Sequence, residues 1–327
     1  MKAKEKMSIR TALVGCGVIG KVHAAIIPKY GTICAVCDID EKAMDRFSGI
    51  AKYTDYIQML DEQSPDIVHI CTPHHLHADM VIAALNRNIN VLCEKPLCIR
   101  KEDIGRILEA EKNSKAQLGV SQQNRYNPAN RYLKEQAEKI APKAASAQLY
   151  WHRGRDYYNS APWRGKWATE GGGVLINQAL HTLDILQWLV GMPNAIRAIT
   201  SNAILGDTIE VEDTAIVFGE GEKSFALSAT VGLPFDQPIA ISLLWDDNRQ
   251  LIAQGNCVYE GEKVITFEEI FECHGKPCYG SSHEALIADF YDCVASGRHF
   301  PVDGTEASKV IQLILAAYES QGKPIKI

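Results

Sequence analysis

The sequence predicts an α/β protein: a Rossmann domain with a doubly wound parallel sheet, followed by an α+β domain with a mainly antiparallel sheet. Two observations predict this fold. From Ile9 to about Gln123, apolar strand candidates alternate with helix candidates, which implies right-handed crossovers between parallel strands. After Pro142, strand candidates follow one another directly across Gly, Pro, Asp and Asn turns, as in antiparallel sheets. We therefore predict a first domain over residues 1–124 and a second over residues 125–327, whose last helix is a candidate to pack back on the first.

The predicted elements of the first domain are short apolar strands, typical of strands buried on both faces, with helices between them. The strands are Ile9–Val14, Ile33–Cys37, Asp66–Cys71, Asn90–Cys93 and Gln117–Ser121. The helices are Val18–Ile27, Glu41–Ile50, Tyr56–Glu62, Leu76–Asn86, Lys101–Ser114 and Asn130–Ile140.

The second domain is predicted from six further strand candidates and three helices. The strands are Ala144–Arg153, Ile196–Ala203, Asp213–Phe218, Ser224–Val231, Ile239–Trp245 and Gln250–Gln254. The helices are the apolar segment Gly173–Val190, which lies among those strands, and the two later segments Glu284–Ser296 and Thr305–Ser320.

A glycine motif follows the first strand directly. In a strand–turn–helix unit, Gly15 permits the tight turn, Gly17 lets the backbone approach a pyrophosphate, and Gly20 lets the helix pack on the strand. Val18 and Ile19 open the following helix, whose positive N-terminus attracts the phosphates. The motif therefore predicts a dinucleotide-binding turn.

Asp38 ends the second strand, at the position where a carboxylate accepts both hydroxyls of the adenosine ribose. The same carboxylate would repel a 2′-phosphate, and no Arg or Ser follows it directly. The sequence therefore predicts NAD rather than NADP as the cofactor.

Composition excludes several classes of function. The 46% hydrophobic and 23% charged residues describe an ordinary soluble globular protein, and a net charge of −6 argues against a nucleic-acid surface. The charged start of the chain has no apolar segment after it, which argues against a signal peptide. No apolar stretch reaches the roughly 18 residues of a membrane helix. We expect a cytoplasmic protein without nucleic-acid or membrane partners.

A short cluster in a late turn region raises the question of a metal. Cys273, His274 and Cys278 lie close together, but no second ligand pair of matching spacing accompanies them. We therefore expect no metal site.

Lys95 follows the fourth strand, and ligands of open α/β sheets bind at the carboxyl ends of the strands. Oxidation of a secondary alcohol needs a base for the hydroxyl proton, and a partly desolvated lysine beside a cationic nicotinamide would have a lowered pKa. Glu94 is expected to pair with Lys95 or to contact the nicotinamide ribose. The alternative is an ordinary surface lysine in a loop.

These motifs resemble, over essentially the whole chain, the glucose–fructose oxidoreductase / inositol dehydrogenase / MocA (Gfo/Idh/MocA) family of nicotinamide-dependent oxidoreductases. The similarity is carried by five segments in this order: the glycine turn, Cys71-Thr72-Pro73 with His77 after it, Glu94-Lys95-Pro96, Gly171-Gly172-Gly173 leading to His181 and Asp184, and Pro301-Val302-Asp303-Gly304-Thr305-Glu306-Ala307.

The resemblance implies that the second domain has an open-faced sheet, carries the substrate pocket and forms homodimers or homotetramers through that sheet. It also implies that the cofactor is bound by Thr72, Pro73, His77, Glu94 and Lys95. Asn124, after the fifth strand, is expected to border the nicotinamide.

Three polar residues share one face of the predicted helix Gly173–Val190, because Asn177, His181 and Asp184 follow its period. A polar face on an otherwise apolar helix needs a partner, and a substrate pocket supplies one. The family often has an aspartate where this chain has Asn177, and an asparagine cannot titrate. We predict proton transfer by Lys95 and His181, with Asn177 orienting a hydroxyl and Asp184 holding the His181 ring. The alternative is that His181 is a core histidine.

Further substrate contacts are expected from aromatic and basic residues, whose faces and planar donors suit a sugar ring. Two interpretations of the segment around Trp163 and Arg164 stay open: a substrate wall, or packing of the sheet on the Rossmann domain. The complete predicted set of substrate contacts is Lys95, Tyr126, Trp163, Arg164, Asn177, His181 and His283.

The sequence thus predicts an NAD-dependent dehydrogenase acting on a secondary alcohol of a sugar, sugar derivative or cyclic polyol. The Asn177-Gln178 pair before His181 is similar to family members that oxidise a sugar 3-hydroxyl. Two alternatives stay open: redox-neutral, NAD-dependent glycoside cleavage or elimination, and a non-catalytic sugar or dinucleotide sensor.

Overall fold

The computed structural model describes residues 9–274 and 281–327. Cys278, part of the cluster considered above, lies outside these residues. In the described part, no helix is long and apolar enough to cross a membrane.

The first sheet is parallel and, in the described residues, has six strands in the order β3-β2-β1-β4-β5-β6. Its strands are β1 Arg10–Val14, β2 Thr32–Cys37, β3 Ala51–Tyr53, β4 Ile67–Ile70, β5 Asn90–Cys93 and β6 Leu118–Val120. The strand order reverses between β1 and β4, and the crevice outside the carboxyl ends of these strands is where such sheets bind ligands.

In the described residues, four helices accompany this sheet: α1 Val18–Ile26, α2 Tyr56–Gln63, α3 His77–Leu85 and α4 Lys101–Asn113. The core strands are almost completely buried, as their apolar sequences require.

The second sheet has nine strands in the described residues, in the order β14-β13-β12-β11-β7-β10-β9-β8-β15. They are β7 Ala144–Tyr150, β8 Ala195–Ser201, β9 Thr214–Glu220, β10 Ser224–Thr230, β11 Ala240–Leu244, β12 Gln250–Gln254, β13 Cys257–Glu260, β14 Lys263–Thr266 and β15 Ile325–Lys326. Only β7 and β10 pair in parallel among these strands. The predicted fold class is confirmed.

Among the described helices, those that contact strands of the second sheet are α5 Pro128–Lys139, α7 Val174–Asn177, α8 Leu180–Val190 and α10 Gly304–Ser320. Helix α6 Arg155–Asn159 follows β7, and helix α9 Ser282–Ser296 contacts the first sheet, where Tyr291 bonds to Thr11 of β1 and His69 of β4. Helix α10 contacts β8 on one side and α4 and β6 of the first sheet on the other. The Gly304 amide, for example, donates to the Glu111 carboxylate at 3.2 Å.

The two faces of the second sheet differ. On β10, Phe225, Leu227 and Ala229 are buried at 0–1% exposure, facing the helices. On the outer face, Ile199 of β8 and Ile216 of β9 are paired neighbours and are 64% and 58% exposed. The outer face is therefore open, as an open-faced sheet requires.

Two helix predictions are wrong in part. The predicted helix Glu41–Ile50 is a short 3₁₀ turn over Glu41–Met44, and the chain then forms strand β3. The predicted helix Gly173–Val190 is divided into α7 and α8, because the Ala179 amide donates to the Val174 carbonyl at 2.7 Å and widens the turn between them. The short strands β3, β13, β14 and β15 were not predicted.

Candidate active site

In the glycine turn, one glycine has free space where a side chain would lie, and two glycines do not. A side chain at Gly15 would collide with the Cys71 carbonyl, and one at Gly20 would collide with the Gly15 carbonyl. Nothing lies within 4 Å of the space above Gly17. The backbone at Gly17, at the start of α1, therefore lies bare toward the crevice, which fits a pyrophosphate against the helix N-terminus.

Asp38 is fixed beside this turn. Its carboxylate accepts a hydrogen bond from the Cys16 amide at 2.7 Å and another from the Asp40 amide at 2.9 Å. The Arg46 side chain packs against the glycine turn, where it donates to the Cys16 carbonyl at 3.4 Å. Sequence reasoning missed Arg46, because only the residues next to Asp38 were considered.

Lys95 leaves the end of β5 and reaches α7 of the other sheet's domain. Its ammonium donates to the Asn177 carbonyl oxygen at 2.7 Å and approaches the Asn177 side-chain oxygen at 3.3 Å. The pKa of Lys95 is lowered to about 8: burial is the largest cause, Glu94 and Glu170 oppose it, and Arg164 and Arg153 add to it. A lysine with this pKa exchanges protons near neutral pH.

His181, on α8, is the second titratable group of the cleft. Its Nε2 lies 3.1 Å from the Gln123 amide nitrogen, which donates to it and leaves the ring proton on Nδ1. That Nδ1 is buried, and no described residue accepts its hydrogen bond. Burial and the neighbouring Lys95 hold the pKa of His181 well below its usual range. A buried ring donor without a partner among the described residues calls for an acceptor from elsewhere, and a ligand is one group that supplies it.

Asp184 does not hold the His181 ring, so that prediction is wrong. Both of its oxygens accept hydrogen bonds from Arg125 at 2.7 Å, in a bidentate pair that is almost fully buried. The Arg125 guanidinium also donates to Glu306 of α10 at 3.0 Å. The residue that contacts His181 is Gln123, which sequence reasoning missed because nothing in the sequence pairs it with a residue 58 positions away.

Asn177 lies at the centre of a polar wall. Its amide nitrogen donates to the Tyr157 hydroxyl at 3.1 Å and to the Glu170 carboxylate. Burial raises the pKa of Glu170, a buried residue that sequence reasoning did not select. The expectation that Asn177 orients rather than titrates is consistent with these contacts.

Arg164 and Trp163 continue this wall. The Arg164 guanidinium stacks on the rings of Tyr157 and Trp163, at 4.3 and 4.5 Å from their centroids, and donates to the Tyr157 hydroxyl. Trp163 in turn packs against His74, with ring centroids 4.7 Å apart. The aromatic segment thus packs on the first domain, which is one of the two interpretations, and its Tyr157 also contacts Asn177; the substrate wall stays a prediction.

Other predicted site residues have structural contacts of their own. His77 is completely buried and bridges the carbonyl oxygens of Pro96 and Thr72 at 2.7 and 2.8 Å. It therefore fixes the two loops after β4 and β5 to each other rather than reaching the crevice. The Thr72 hydroxyl donates to the Met80 sulfur at 3.4 Å, and Pro73 follows it, half-buried, on the same loop.

Tyr126 and Asn124 lie on the segment between β6 and α5. The Tyr126 hydroxyl donates to Asp289 of α9 at 2.6 Å, and Tyr126 is not among the described residues that contact Lys95 or His181. The Asn124 carbonyl accepts from the Asn130 side chain at 2.8 Å, which fixes the loop at the start of α5.

Glu94, which precedes Lys95 in the chain, lies close to His23 and His283. The Glu94 carboxylate accepts a hydrogen bond from His23 at 2.9 Å, and His283 lies 3.8 Å away. The pKa of Glu94 lies below its ordinary value: burial raises it, but the hydrogen bond from His23 and neighbouring positive charge, including that of Lys95, outweigh burial. Glu94 is therefore an anion, held by His23 rather than paired directly with Lys95.

A second cluster combines Glu272, His274 and Glu284, whose ligand atoms lie within 4.8 Å of one another. The Lys29 ammonium donates to Glu272 at 3.2 Å and to Glu284 at 2.9 Å. A lysine therefore supplies the positive charge that these carboxylates need.

The bare glycine turn, the carboxylate beside it and the lysine at the mouth of the same sheet together have the geometry of a dinucleotide-binding site with a titratable group at its edge. Residues 9–122 match the family model for the oxidoreductase family, NAD-binding Rossmann fold, and residues 141–237 match the GFO/IDH/MocA C-terminal domain. The chain belongs to the Gfo/Idh/MocA family and carries its NAD-binding Rossmann domain, which confirms the resemblance and the predicted cofactor.

Two similar curated proteins are named as dehydrogenases of inositol and of levoglucosan. The inositol 2-dehydrogenase of Salmonella typhimurium is 30% identical over 193 residues, 56% of this chain and 55% of that protein. The levoglucosan dehydrogenase of Pseudarthrobacter phenanthrenivorans is 27% identical over 60% of this chain and 55% of that protein. The chain thus matches little more than half the length of these curated relatives.

Similarity to solved structures extends over the whole chain. The WlbA dehydrogenase of Bordetella pertussis, in complex with NADH and UDP-GlcNAcA, superposes with a TM-score of 0.86. The two proteins are 26% identical, and the match covers 99% of each chain.

Proposed function

We propose that this protein is an NAD-dependent dehydrogenase that oxidises a secondary alcohol of a sugar, sugar derivative or cyclic polyol. The observation that carries the proposal is the position of Lys95. A lysine with a pKa of about 8 leaves the dinucleotide-binding sheet and meets Asn177 and His181 of the other domain. A hydroxyl between these groups has a base and a hydrogen-bond donor within one cleft.

Lys95 is the proposed base. The carbonyl and side-chain oxygens of Asn177 hold the Lys95 Nζ in place. In the neutral lysine, this nitrogen has a lone pair that can take the proton of the substrate hydroxyl. Bound NAD would accept the hydride from the same carbon. The bare backbone at Gly17 and the Asp38 carboxylate are the residues that would hold its pyrophosphate and adenosine ribose.

His181 is the proposed partner of Lys95 at the substrate oxygen. Its orphaned Nδ1 proton can donate to that oxygen, and its neutral ring can share in the proton transfer. Gln123 fixes the ring through Nε2, so the donor is already oriented before substrate binds.

The substrate class follows from the wall beside this pair. Stacked aromatic and guanidinium groups at Tyr157, Trp163 and Arg164 offer flat apolar faces with hydrogen-bond donors at their edges, which suits a sugar ring. We favour the 3-hydroxyl of a nucleotide-linked or glycosidic sugar as the reacting group. The Asn177-Gln178 pair and the similarity to WlbA, whose structure holds UDP-GlcNAcA, support this choice.

The protein is further proposed to be a homodimer or homotetramer that covers the outer face of its second sheet. Ile199, Ile216 and Phe218 are exposed on adjacent strands there, and an apolar face of this kind is typical of an interface. A cytoplasmic location and the absence of nucleic-acid and membrane partners stay predictions from composition.

A panel of sugars, sugar nucleotides and cyclic polyols with NAD, followed by NADH absorbance, tests the proposed function. We expect stoichiometric NADH from at least one member of the panel. Product without net NADH would favour redox-neutral cleavage or elimination instead. Binding of sugar and NAD without turnover of any member would favour a sensor.

A further inference from the structure

The Glu94 carboxylate ends a chain of buried side chains from four other elements. His23 of α1 contacts Glu94 at 2.9 Å, and its second nitrogen contacts Nδ1 of His69, on β4, at 2.8 Å. Nε2 of His69 lies 3.2 Å from the hydroxyl of Tyr291, on α9, which lies 2.7 Å from the hydroxyl of Thr11, on β1. All five residues are at most 5% exposed.

The direction of the hydrogen bonds follows once each histidine is given a single ring proton. An ionised carboxylate only accepts, so His23 donates from Nε2 and, with no second proton, accepts on Nδ1. His69 then donates from Nδ1 and accepts on Nε2. Tyr291 donates to His69, and Thr11 donates to Tyr291. In this arrangement all four bonds point toward Glu94.

This arrangement satisfies every contact in the chain without a buried histidine charge. Burial holds the pKa of His69 well below its usual range, so a neutral His69 is also the state that its surroundings favour. Aligned hydrogen bonds in a low-dielectric interior polarise one another, and the last acceptor gains most from this. The polarised end of the chain is Glu94, next to Lys95 in the sequence.

We propose that Thr11, Tyr291, His69 and His23 form a one-directional hydrogen-bond relay that keeps Glu94 ionised and in place, so that Glu94 holds part of the Lys95 population protonated. This inference rests on the proposed function only where it uses Lys95 as the base. His23, His69 and Tyr291 are positioning residues, because they act through Glu94.

Several other groups also change the pKa of Lys95, and the relay is one of these contributions. The groups whose charges act on the Lys95 ammonium are Glu94, Glu170, Arg153 and Arg164, and the neighbouring histidines are His74, His77, His181 and His283. Glu94 itself faces His23, His283 and Lys95. The variants below leave all of these groups in place except the one changed.

The first experiment reads the proton positions directly and needs no substrate. In protein labelled with ¹⁵N-histidine at neutral pH, imidazole ¹⁵N spectra should show His23 with its proton on Nε2 and His69 with its proton on Nδ1. Variants His23→Gln and His69→Gln assign the signals. A proton on Nε2 of His69, or a charge on either histidine, would overturn the proposed direction.

The second experiment reads the effect on Lys95. In the pH dependence of kcat/KM for alcohol oxidation, Glu94→Gln should move the limb of Lys95 to lower pH by about one unit or more, because an opposite charge that raises its pKa is lost. His69→Leu should move the limb in the same direction. Tyr291→Phe, which removes a single oxygen, should move it less.

Tyr56→Phe is the matched control. Tyr56 is also a buried tyrosine of the first domain, but its hydroxyl donates to the Met80 carbonyl at 2.8 Å, outside the relay. This variant should leave the limb where it is. An unchanged limb in both His69→Leu and Tyr291→Phe would overturn the relay, and if His69→Leu does not fold, Tyr291→Phe decides alone.

The two experiments separate failure of the relay from failure of the proposed function. If no alcohol is oxidised, the dehydrogenase proposal fails, and the ¹⁵N spectra still show whether the relay exists. If an alcohol is oxidised and the spectra show the opposite tautomers, the relay fails alone.

Discussion

Burial is the main cause that shifts both Lys95 and His181 toward their neutral forms; the charge of Lys95 adds to the shift of His181, whereas the Glu94 carboxylate opposes the shift of Lys95. A base near a developing charge works best when its pKa lies close to the working pH. Because deprotonated Lys95 is the reactive form in oxidation, kcat/KM should rise with pH and level off above about 8. A profile that is flat between pH 6 and roughly 9 would contradict this assignment.

At Asn177 the structure sharpens a test that the sequence already suggested. In Asn177→Asp, the new carboxylate would face Glu170, whose pKa burial already raises. Two carboxylates this close cannot both ionise easily, so one pKa rises and a new ionisation should enter the pH profile without abolishing turnover. The double variant Asn177→Asp/Glu170→Gln should remove the shared ionisation. A single variant with an unchanged profile would contradict the contact.

At Asp38 the expected change is one of cofactor preference. Asp38→Ser should weaken NAD and relatively improve NADP, because the repelling carboxylate is lost and Arg46 stays on the same turn. Asp40→Ser is the control, since Asp40 is exposed and caps only the following 3₁₀ turn. Equal kcat/KM for both cofactors in the unmutated protein would contradict NAD preference.

Two alanine substitutions in the glycine turn are expected to have different effects. Gly17→Ala should fold normally and bind NAD weakly, because the added methyl enters the open space that the pyrophosphate needs. Gly20→Ala should lose stability as well, because its methyl would collide with the Gly15 carbonyl. Thermal unfolding together with NAD titration distinguishes the two, and equal stability of both variants would contradict the assigned roles.

Helix α8 is fixed by the buried Arg125–Asp184 pair. Asp184→Ala should lower the free energy of unfolding by about 3–5 kcal/mol, since it leaves the Arg125 charge buried with only Glu306 as its ion-pair partner. In the fraction that stays folded, the pH dependence of kcat/KM should keep the Lys95 limb at the pH found for the parent protein. A shifted limb with normal stability would instead restore Asp184 as the partner of His181.

These elements show what the sequence could predict. Apolar strands β1, β2, β4 and β5 were recognisable because burial on both faces demands continuous apolar residues. Strand β3, Ala51-Lys52-Tyr53, is too short and too polar for that signal. The division between α7 and α8 carries no Gly or Pro to mark it. The partners of His181 and Asp184 depend on contacts more than 50 residues apart, which local patterns do not encode.

At the scale of the whole molecule, the open outer face of the second sheet predicts an oligomer. Ile216→Glu should shift the protein toward monomers in light scattering at micromolar concentration, because it places a charge in the centre of the exposed apolar face. Ile57→Glu, at an exposed position of α2 on the first domain, is the control and should not change the mass. A monomeric unmutated protein would contradict the interface.

The proposed mechanism depends on Lys95, which joins the cofactor domain to the proposed substrate wall. Lys95→Ala should lower kcat on a verified substrate by about 10²–10⁴-fold, the usual share of general base catalysis, and leave NAD affinity nearly unchanged. The measurement is kcat for the variant and the parent at pH 8, with NAD binding measured on the same preparations. A Lys95→Ala variant with near-normal kcat would contradict the proposed mechanism.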